Sequence, residues 1–523
     1  MKSFVQRHAD KITGVLSGFD RVRFRGTLRW LANVRGMMGF LSSVSVLLKD
    51  FKPYVLAITE RLRSAAKEAM AAAGRPVCYL QSSSASKEAV ALEVARRDGV
   101  RQGPIALLTC VEPCWTYTVG PNRDAKKLEL RSGLGKCLHL YFYEFHPQLG
   151  FCHTRLQTWF PFTIQICING REWLARQLDA QGIGYQRRDN CFTAVADVAA
   201  AQALFDQQVR TNWQQLLGPM ARGANPVYPT LSPSAALDYY WSADETEWAT
   251  DVMFRSSQSL TALHRRLVHH GLVNVSSGDV MRFLGKHVTA QGHVDARFAG
   301  EVVSDLKTRP EGVRIKHRVN RNALKMYDKQ GSVLRVETTI NDTWDMKVYR
   351  QAEGAPAEEP PTWQRLRKGV ADLERRTQIS QAANERYLEG LATVEETTTL
   401  GELTERLSQP RRWHGRQVRA LRPLCPDELR WLEAVNRGEF AIHGFRNRDL
   451  RRLLFGEAET SAAEQRRRSG KVTRRLRLLR AHGLIQKVPK THRYQVSPRG
   501  QRVIAALLTA RQAAVAKLTD AVA

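Results

Sequence analysis

Residues 313–350, VRIKHRVNRNALKMYDKQGSVLRVETTINDTWDMKVYR, gather the side chains best suited to chemistry. Two strands are expected there, Leu324–Lys329 and Val333–Ile340, joined around Gln330-Gly331. Period-two alternation sorts their side chains. Leu324, Met326, Leu334 and Val336 take one face, while Lys325, Tyr327, Arg335, Glu337 and Thr339 take the other. His317 and Asn320 come just before, and Asp328 and Asp342 lie at the rims. A tyrosine, a carboxylate and two cations on one face suit phosphoryl transfer to or from a tyrosine. Such a nucleophile needs a base or a metal, and the reaction needs cations around the developing charge. Glu337 with Asp328 could hold Mg²⁺, and Lys325 and Arg335 could clamp a phosphate. Two other readings stay open. The face can be a solvated hairpin with cross-strand Lys/Glu and Tyr/Arg pairs, or a non-catalytic RNA- or DNA-binding surface.

The order Tyr-Asp-Lys, tight turn, Arg-x-Glu resembles a motif of replication initiators from some rolling-circle plasmids and filamentous phages. The resemblance touches Tyr327, Lys329, Arg335 and Glu337 only. It implies a tyrosine that attacks DNA beside metal-bound carboxylates, with Tyr327 and Glu337 as the catalytic pair. The chain lacks the His-hydrophobic-His pair of the better-known relatives.

Other candidates are less specific. Cys110, Cys114, His139 and His153 could supply a zinc site, although their spacing is irregular and no C-x-x-C occurs. The alternative for all eight cysteines is a set of reduced, buried small hydrophobes. Glu247 and Asp251 would be one turn apart if Ser234–Lys286 is helical, and could share a metal or simply be solvated. Ser82–Ser86 between a strand and a helix can hold a phosphate or be an ordinary connection. His139, Tyr141, Tyr143 and Phe145 alternate in a strand, as a base-stacking stripe or, more simply, one face of a core.

The second informative stretch is Ser469–Gly500. Val472, Leu476 and Leu479 recur at helical spacing, and Arg467, Lys471 and Arg474 recur on the opposite face with Arg477 beside them. Gly483 ends the helix, and two short strands flank a turn at Pro489-Lys490-Thr491. This segment resembles the winged-helix DNA-binding domain of bacterial MarR-type and ArsR-type regulators. The resemblance implies a basic helix in the major groove and a Lys490/Arg493 wing against the backbone or minor groove.

Composition agrees with a polyanionic partner. The chain carries 80 Lys+Arg against 51 Asp+Glu, net +29. Residues 425–523 hold 21 basic and 9 acidic residues, so +12 lies there and +17 is spread over the rest. No run of apolar residues is long enough to span a membrane, and the N-terminus has no apolar signal region, so a cytoplasmic location is expected. The expected fold is a multidomain α/β (α+β) body with a C-terminal winged helix. An α/β and β-rich part covers 1–225, and a helical segment with β-hairpins covers 226–350. A linker at 351–361 and a helical connector at 362–424 precede the winged helix at 425–523. A large body with a DNA-reading tail suits a mobile-element or replication protein that binds duplex DNA and nicks it with Mg²⁺. A non-enzymatic regulator with a ligand-sensing body, or an RNA-binding protein, are the alternatives.

Overall fold

The computed structural model describes the chain except residues 233–235, 274, 276, 286–299, 310–311, 345, 353, 355, 357, 393–399, 438–439, 441–443, 457–460, 490 and 513–523. A short helix α1 (Lys2–Arg7) leads into β1 (Ile12–Leu28), which turns Val22, Phe24 and Leu28 inward and Arg21, Arg23 and Arg25 outward. Next come α2 (Val34–Ser43), capped by Asn33, and α3 (Phe51–Ala72), which buries the stripe Val55, Ile58, Leu62, Ala66. Strand β2 (Val77–Leu80) precedes α4 (Lys87–Arg97), and Ser86 is simply the N-cap of that helix. Two long strands, β3 (Gly103–Asn122) and β4 (Lys127–His146), form a ribbon continued by β5 (Gly150–Gln157) and β6 (Ile164–Asn169). Asn169 caps α5 (Gly170–Ala180), followed by the hairpin β7 (Tyr185–Arg188) and β8 (Cys191–Val195), then α6 (Val198–Val209) and α7 (Trp213–Ala224).

The chain then adds β9 (Tyr239–Phe254), α8 (Ser257–Val273), α9 (Ser277–Phe283), β10 (Val302–Arg309), β11 (Gly312–Val319), β12 (Asn322–Lys329) and β13 (Val333–Ile340). Eleven strands make one sheet in the order β10-β11-β12-β13-β9-β1-β6-β5-β4-β3-β2. Every neighbouring pair is antiparallel except β2 with β3. The protein is thus mixed α/β around a large sheet. The aromatic strand 139–145 is core: Tyr141 and Tyr143 pack with Ala91, Val94 and Ala95 of α4.

Two expectations need correction. Residues 239–254 form the strand at the sheet centre rather than a helix. Their acidic residues have cross-strand partners: Arg21 lies opposite Glu247 and Arg23 opposite Glu245. The expected connector is also divided between two cores, its first part packing on the body and residues 400–421 on the C-terminal core. After β14 (Lys347–Arg350) pairs with β15 (Thr362–Arg365) across residues 351–361, α10 (Leu373–Leu391) lies against β9 and β13. There Tyr387, Leu388 and Leu391 share a core with Leu324, Met326, Leu334 and Val336. Asn384 donates to the Trp248 carbonyl at 3.1 Å and accepts from Thr338 Oγ1 at 2.7 Å.

A small helix α11 (Leu400–Glu405) and the hairpin β16 (Arg411–Trp413)–β17 (Arg416–Val418) lead to the last segment. It comprises α12 (Pro426–Val435), α13 (Asn447–Phe455), α14 (Ala462–Ala481), β18 (Ile485–Lys487), β19 (Tyr494–Val496) and α15 (Pro498–Gln512). These elements close over a separate core that includes Leu429, Leu432, Leu450, Val472, Leu476, Leu479, Ile504 and Leu507. No helix among the described residues is long and apolar enough to cross a membrane.

Candidate functional site

The hairpin β12–β13 sets up the charged centre. Gln330 and Gly331 both adopt positive φ, 55° and 74°, so the chain reverses tightly there. The resulting register pairs Lys325 with Glu337 and Tyr327 with Arg335. All four side chains therefore leave one face, while Leu324, Met326, Leu334 and Val336 enter the core beneath α10. Strands β9 and β1 then bring Glu247, Asp251 and Asp20 alongside.

Two linked networks result. In the first, Lys325 Nζ lies 2.5 Å from Glu337 Oε1 and 2.9 Å from Glu247 Oε1. The Tyr327 hydroxyl donates to Glu337 Oε2 at 2.8 Å. In the second, Arg335 meets Asp251 with two bonds of 2.6 and 2.8 Å, and donates to Asp20 Oδ1 at 2.6 Å and to the Asn190 carbonyl at 2.8 Å. Arg171 of α5 reaches Asp251 at 2.9 Å, and Asn190 Nδ2 donates to Asp20 at 2.7 Å. Asp20, Glu247 and Glu337 offer carboxylate oxygens within 4.8 Å of one another. Next to them Arg21, Arg23 and Arg25 reach solvent, each paired with a carboxylate of β9: Glu247 at 3.9 Å, Glu245 at 3.4 Å and Asp244 at 2.6 Å.

Burial and charge tune these groups. Burial would raise Glu337, but the Lys325 ammonium, its hydrogen bond and the Arg335 charge hold it down at about 2. Burial, then the Glu337 charge, push Glu247 up to about 7 against the pull of Lys325. The shared lysine thus leaves one strong and one weak acid in a coupled pair. Asp251 is held at about 2 because Arg335 and Arg171 outweigh its burial. Burial, with the Glu337 charge, pushes the Tyr327 hydroxyl well above its usual value.

The site residues expected from the sequence are therefore only partly assembled as foreseen. Tyr327 and Glu337 do touch. Tyr327 is only 8% exposed and its hydroxyl is spent on Glu337, so it is placed as a hydrogen-bond donor and not as an open nucleophile. Asp328 belongs to the opposite side of the strand, where its Oδ1 accepts the Val313 N–H at 3.0 Å, so it does not join Glu337 around a metal. Arg335 is fully buried and Lys325 is held between two carboxylates, so neither is free to clamp a nucleic-acid phosphate. Glu247 joins the cluster through its strand position and not through a helical turn with Asp251. The oxygen donors of Asp20, Glu247 and Glu337 match Mg²⁺ in type, but a divalent ion would compete with the Lys325 ammonium already bridging two of them. Of the zinc alternative, Cys114 and His139 come together with Cys137, and Cys110 and His153 are not in that group.

In the last segment Arg467, Lys471, Arg474 and Arg477 of α14 are exposed, opposite buried Val472, Leu476 and Leu479. Arg467 also pairs with Glu464 at 2.8 Å. Lys490 lies outside the described residues. Arg493 is not an open wing cation. It is 8% exposed, with its guanidinium stacked on Tyr349 and donating to the Gly444 carbonyl at 3.3 Å.

Asp20, Arg171 and Asn190 were missed in the sequence because each comes from a different element, and Asp251 was singled out only as a helical neighbour of Glu247. The one available signal was Asp20 inside FDRVRFRG, a lone acid at the head of an alternating arginine strand. Comparison with protein-family models, curated proteins and solved structures returns no match for this chain.

Proposed function

We propose that this chain is a nucleic-acid-binding protein of mobile-element or replication type that engages duplex DNA through residues 426–512, in the manner of a winged helix. The observation that carries this reading is the face of α14. Four cations, Arg467, Lys471, Arg474 and Arg477, point to solvent on the side opposite the stripe that anchors the helix. A cationic face of that length fits a major groove and its flanking phosphates. The order of the neighbouring elements supports it. Phe445 bridges Tyr494 just before α13, and β18–β19 follow α14 as a two-stranded flap with Lys487 exposed.

The test is a salt series of duplex affinity with the full chain and with Lys471→Ala/Arg474→Ala. Each lost phosphate contact should lower the slope of log affinity against log salt by about 0.9. A full chain without salt-dependent duplex affinity, or a double variant that binds as the unaltered protein does, ends this reading. RNA of equal length competing more strongly than duplex DNA would assign the face to RNA.

A second reading, Mg²⁺-dependent nicking, rests on the approach of Asp20, Glu247 and Glu337 beside the part-exposed Arg21 and Arg23, which are paired with Glu247 and Glu245. In this reading the carboxylates would hold the ion, which would polarise a phosphate, while Arg21 and Arg23 would position the strand. Supercoiled plasmid incubated with the protein and Mg²⁺ or Mn²⁺ decides it. Nicking must appear and be lost in Glu247→Gln. Without nicking, the charged centre is structural.

A further inference from the structure

The root of the β3–β4 ribbon carries a second cluster that the DNA-binding reading does not use. Cys114 Sγ lies 3.4 Å from Cys137 Sγ, and Cys137 Sγ lies 4.0 Å from His139 Nδ1. All three donor atoms fall within 4.8 Å of one another, and all three residues are buried. We propose that Cys114, Cys137 and His139 bind a zinc ion.

Register creates this site. Cys137 and His139 are two apart on β4 and so share a face. Cys114 pairs with Gly135 and Cys137 pairs with Glu112, which makes the two cysteines diagonal neighbours across the ribbon. Gly135 has no side chain to stand between them. Diagonal positions lie about 7–8 Å apart at Cα, beyond the roughly 4.4–6.8 Å that a disulfide spans. An ion bridges that gap more readily than a sulfur–sulfur bond.

The spacing also fits the ion. Zinc bonds of about 2.3 Å to sulfur and about 2.0–2.1 Å to nitrogen put tetrahedral ligand atoms about 3.6–3.8 Å apart. The two separations, 3.4 and 4.0 Å, bracket this range, and His139 Nδ1 would exchange its 3.2 Å contact with the Cys137 carbonyl for the ion. Binding would release both thiol protons to solvent. Two thiolates, a neutral imidazole and Zn²⁺ then make an uncharged unit, as a buried location requires. Glu112 is not available as the fourth ligand, because Lys87, Arg155 and Tyr141 hold its carboxylate at 2.6, 2.9 and 2.6 Å. The one remaining tetrahedral position would go to a water or to Cys110, which pairs opposite His139.

The experiment is metal analysis of the full chain, purified without a histidine tag. About one zinc per chain is expected. Cys114→Ser, Cys137→Ser and His139→Ala should each lose it, while Cys425→Ser should keep it. In case the variants misfold, the unaltered chain, stripped by a chelator and shown folded by circular dichroism, is titrated with Co²⁺. A thiolate-to-cobalt absorption band supports the site. Folded protein with neither zinc nor a cobalt band, zinc loss in Cys425→Ser, or a Cys114–Cys137 disulfide in freshly purified protein would each overturn it.

Discussion

The guanidinium of Arg493 lies 3.8 Å over the ring of Tyr349, and this stack joins the C-terminal segment to the body. Tyr349 in turn meets Trp363 at 5.6 Å, and Trp363 meets Phe440 at 5.9 Å, so the aromatic chain crosses from β14–β15 into the C-terminal core. A desolvated cation–π contact contributes up to about 2 kcal/mol. Arg493→Ala should therefore loosen the junction and speed limited proteolysis between residues 350 and 362. Unchanged cutting would show that the aromatic chain alone holds the two parts.

The Asp251–Arg335–Arg171 network should be a stability centre. Removing one partner of a buried pair leaves an uncompensated charge and costs about 3–5 kcal/mol. Asp251→Asn should lower the urea midpoint accordingly. A shift below about 1 kcal/mol would mean that solvent reaches the arginines after all.

Acid should expose the same network with a defined sign. The folded Asp251 value is lowered from 3.8 to about 2, so its contribution is complete above pH 4 and is lost as pH falls through the folded value. The Glu247/Glu337 pair adds a second feature. Glu337, lowered to about 2, acts as Asp251 does, whereas Glu247, raised from 4.5 to about 7, favours the protonated folded state. The Glu247 contribution is full below pH 4.5 and fades as pH rises through 7, by at most about 3 kcal/mol. Buried imidazoles oppose this trend: His153 and His317 are lowered by burial from 6.5 to about 4, so their contribution is lost as pH falls below 6.5. The Glu247 share is therefore read by difference: the stability of the unaltered chain minus that of Glu247→Gln should fall as pH rises from 4.5 through 7, and denaturation of both at several pH values checks it.

How much of this was legible in the sequence depends on distance along the chain. Alternation within 324–340 gave the two faces of the hairpin, since neighbours in one hairpin are fixed by a local turn. The stripe of Val472, Leu476 and Leu479 and the opposite cations were readable for the same reason: helical spacing is local. The companions of Glu337 were not. Asp20 and Glu247 arrive from strands 317 and 90 residues away in sequence, and only strand order places them. Acidic residues 244–251 looked helical because the arginines opposite them sit in β1. Cys137 escaped notice as a ligand because the ribbon register, not a sequence motif, sets it beside Cys114.

Tyr327 offers the sharpest test of what the charged centre is for. Its hydroxyl donates to Glu337 Oε2 at 2.8 Å, inside a network that also includes Lys325. If that bond is structural, Tyr327→Phe leaves a buried carboxylate short of one donor, costing about 1–3 kcal/mol of stability. Duplex affinity and its salt slope should not change, because the ring still fills its place and α14 packs in a different core. Lys325→Met should cost more, since it leaves Glu337 and Glu247 facing each other without a cation. Denaturation curves and the salt series, run on both variants, supply the answer. Lost stability with retained affinity assigns Tyr327 to the scaffold of the sheet. Retained stability with lost plasmid nicking would instead make its hydroxyl part of a reacting centre.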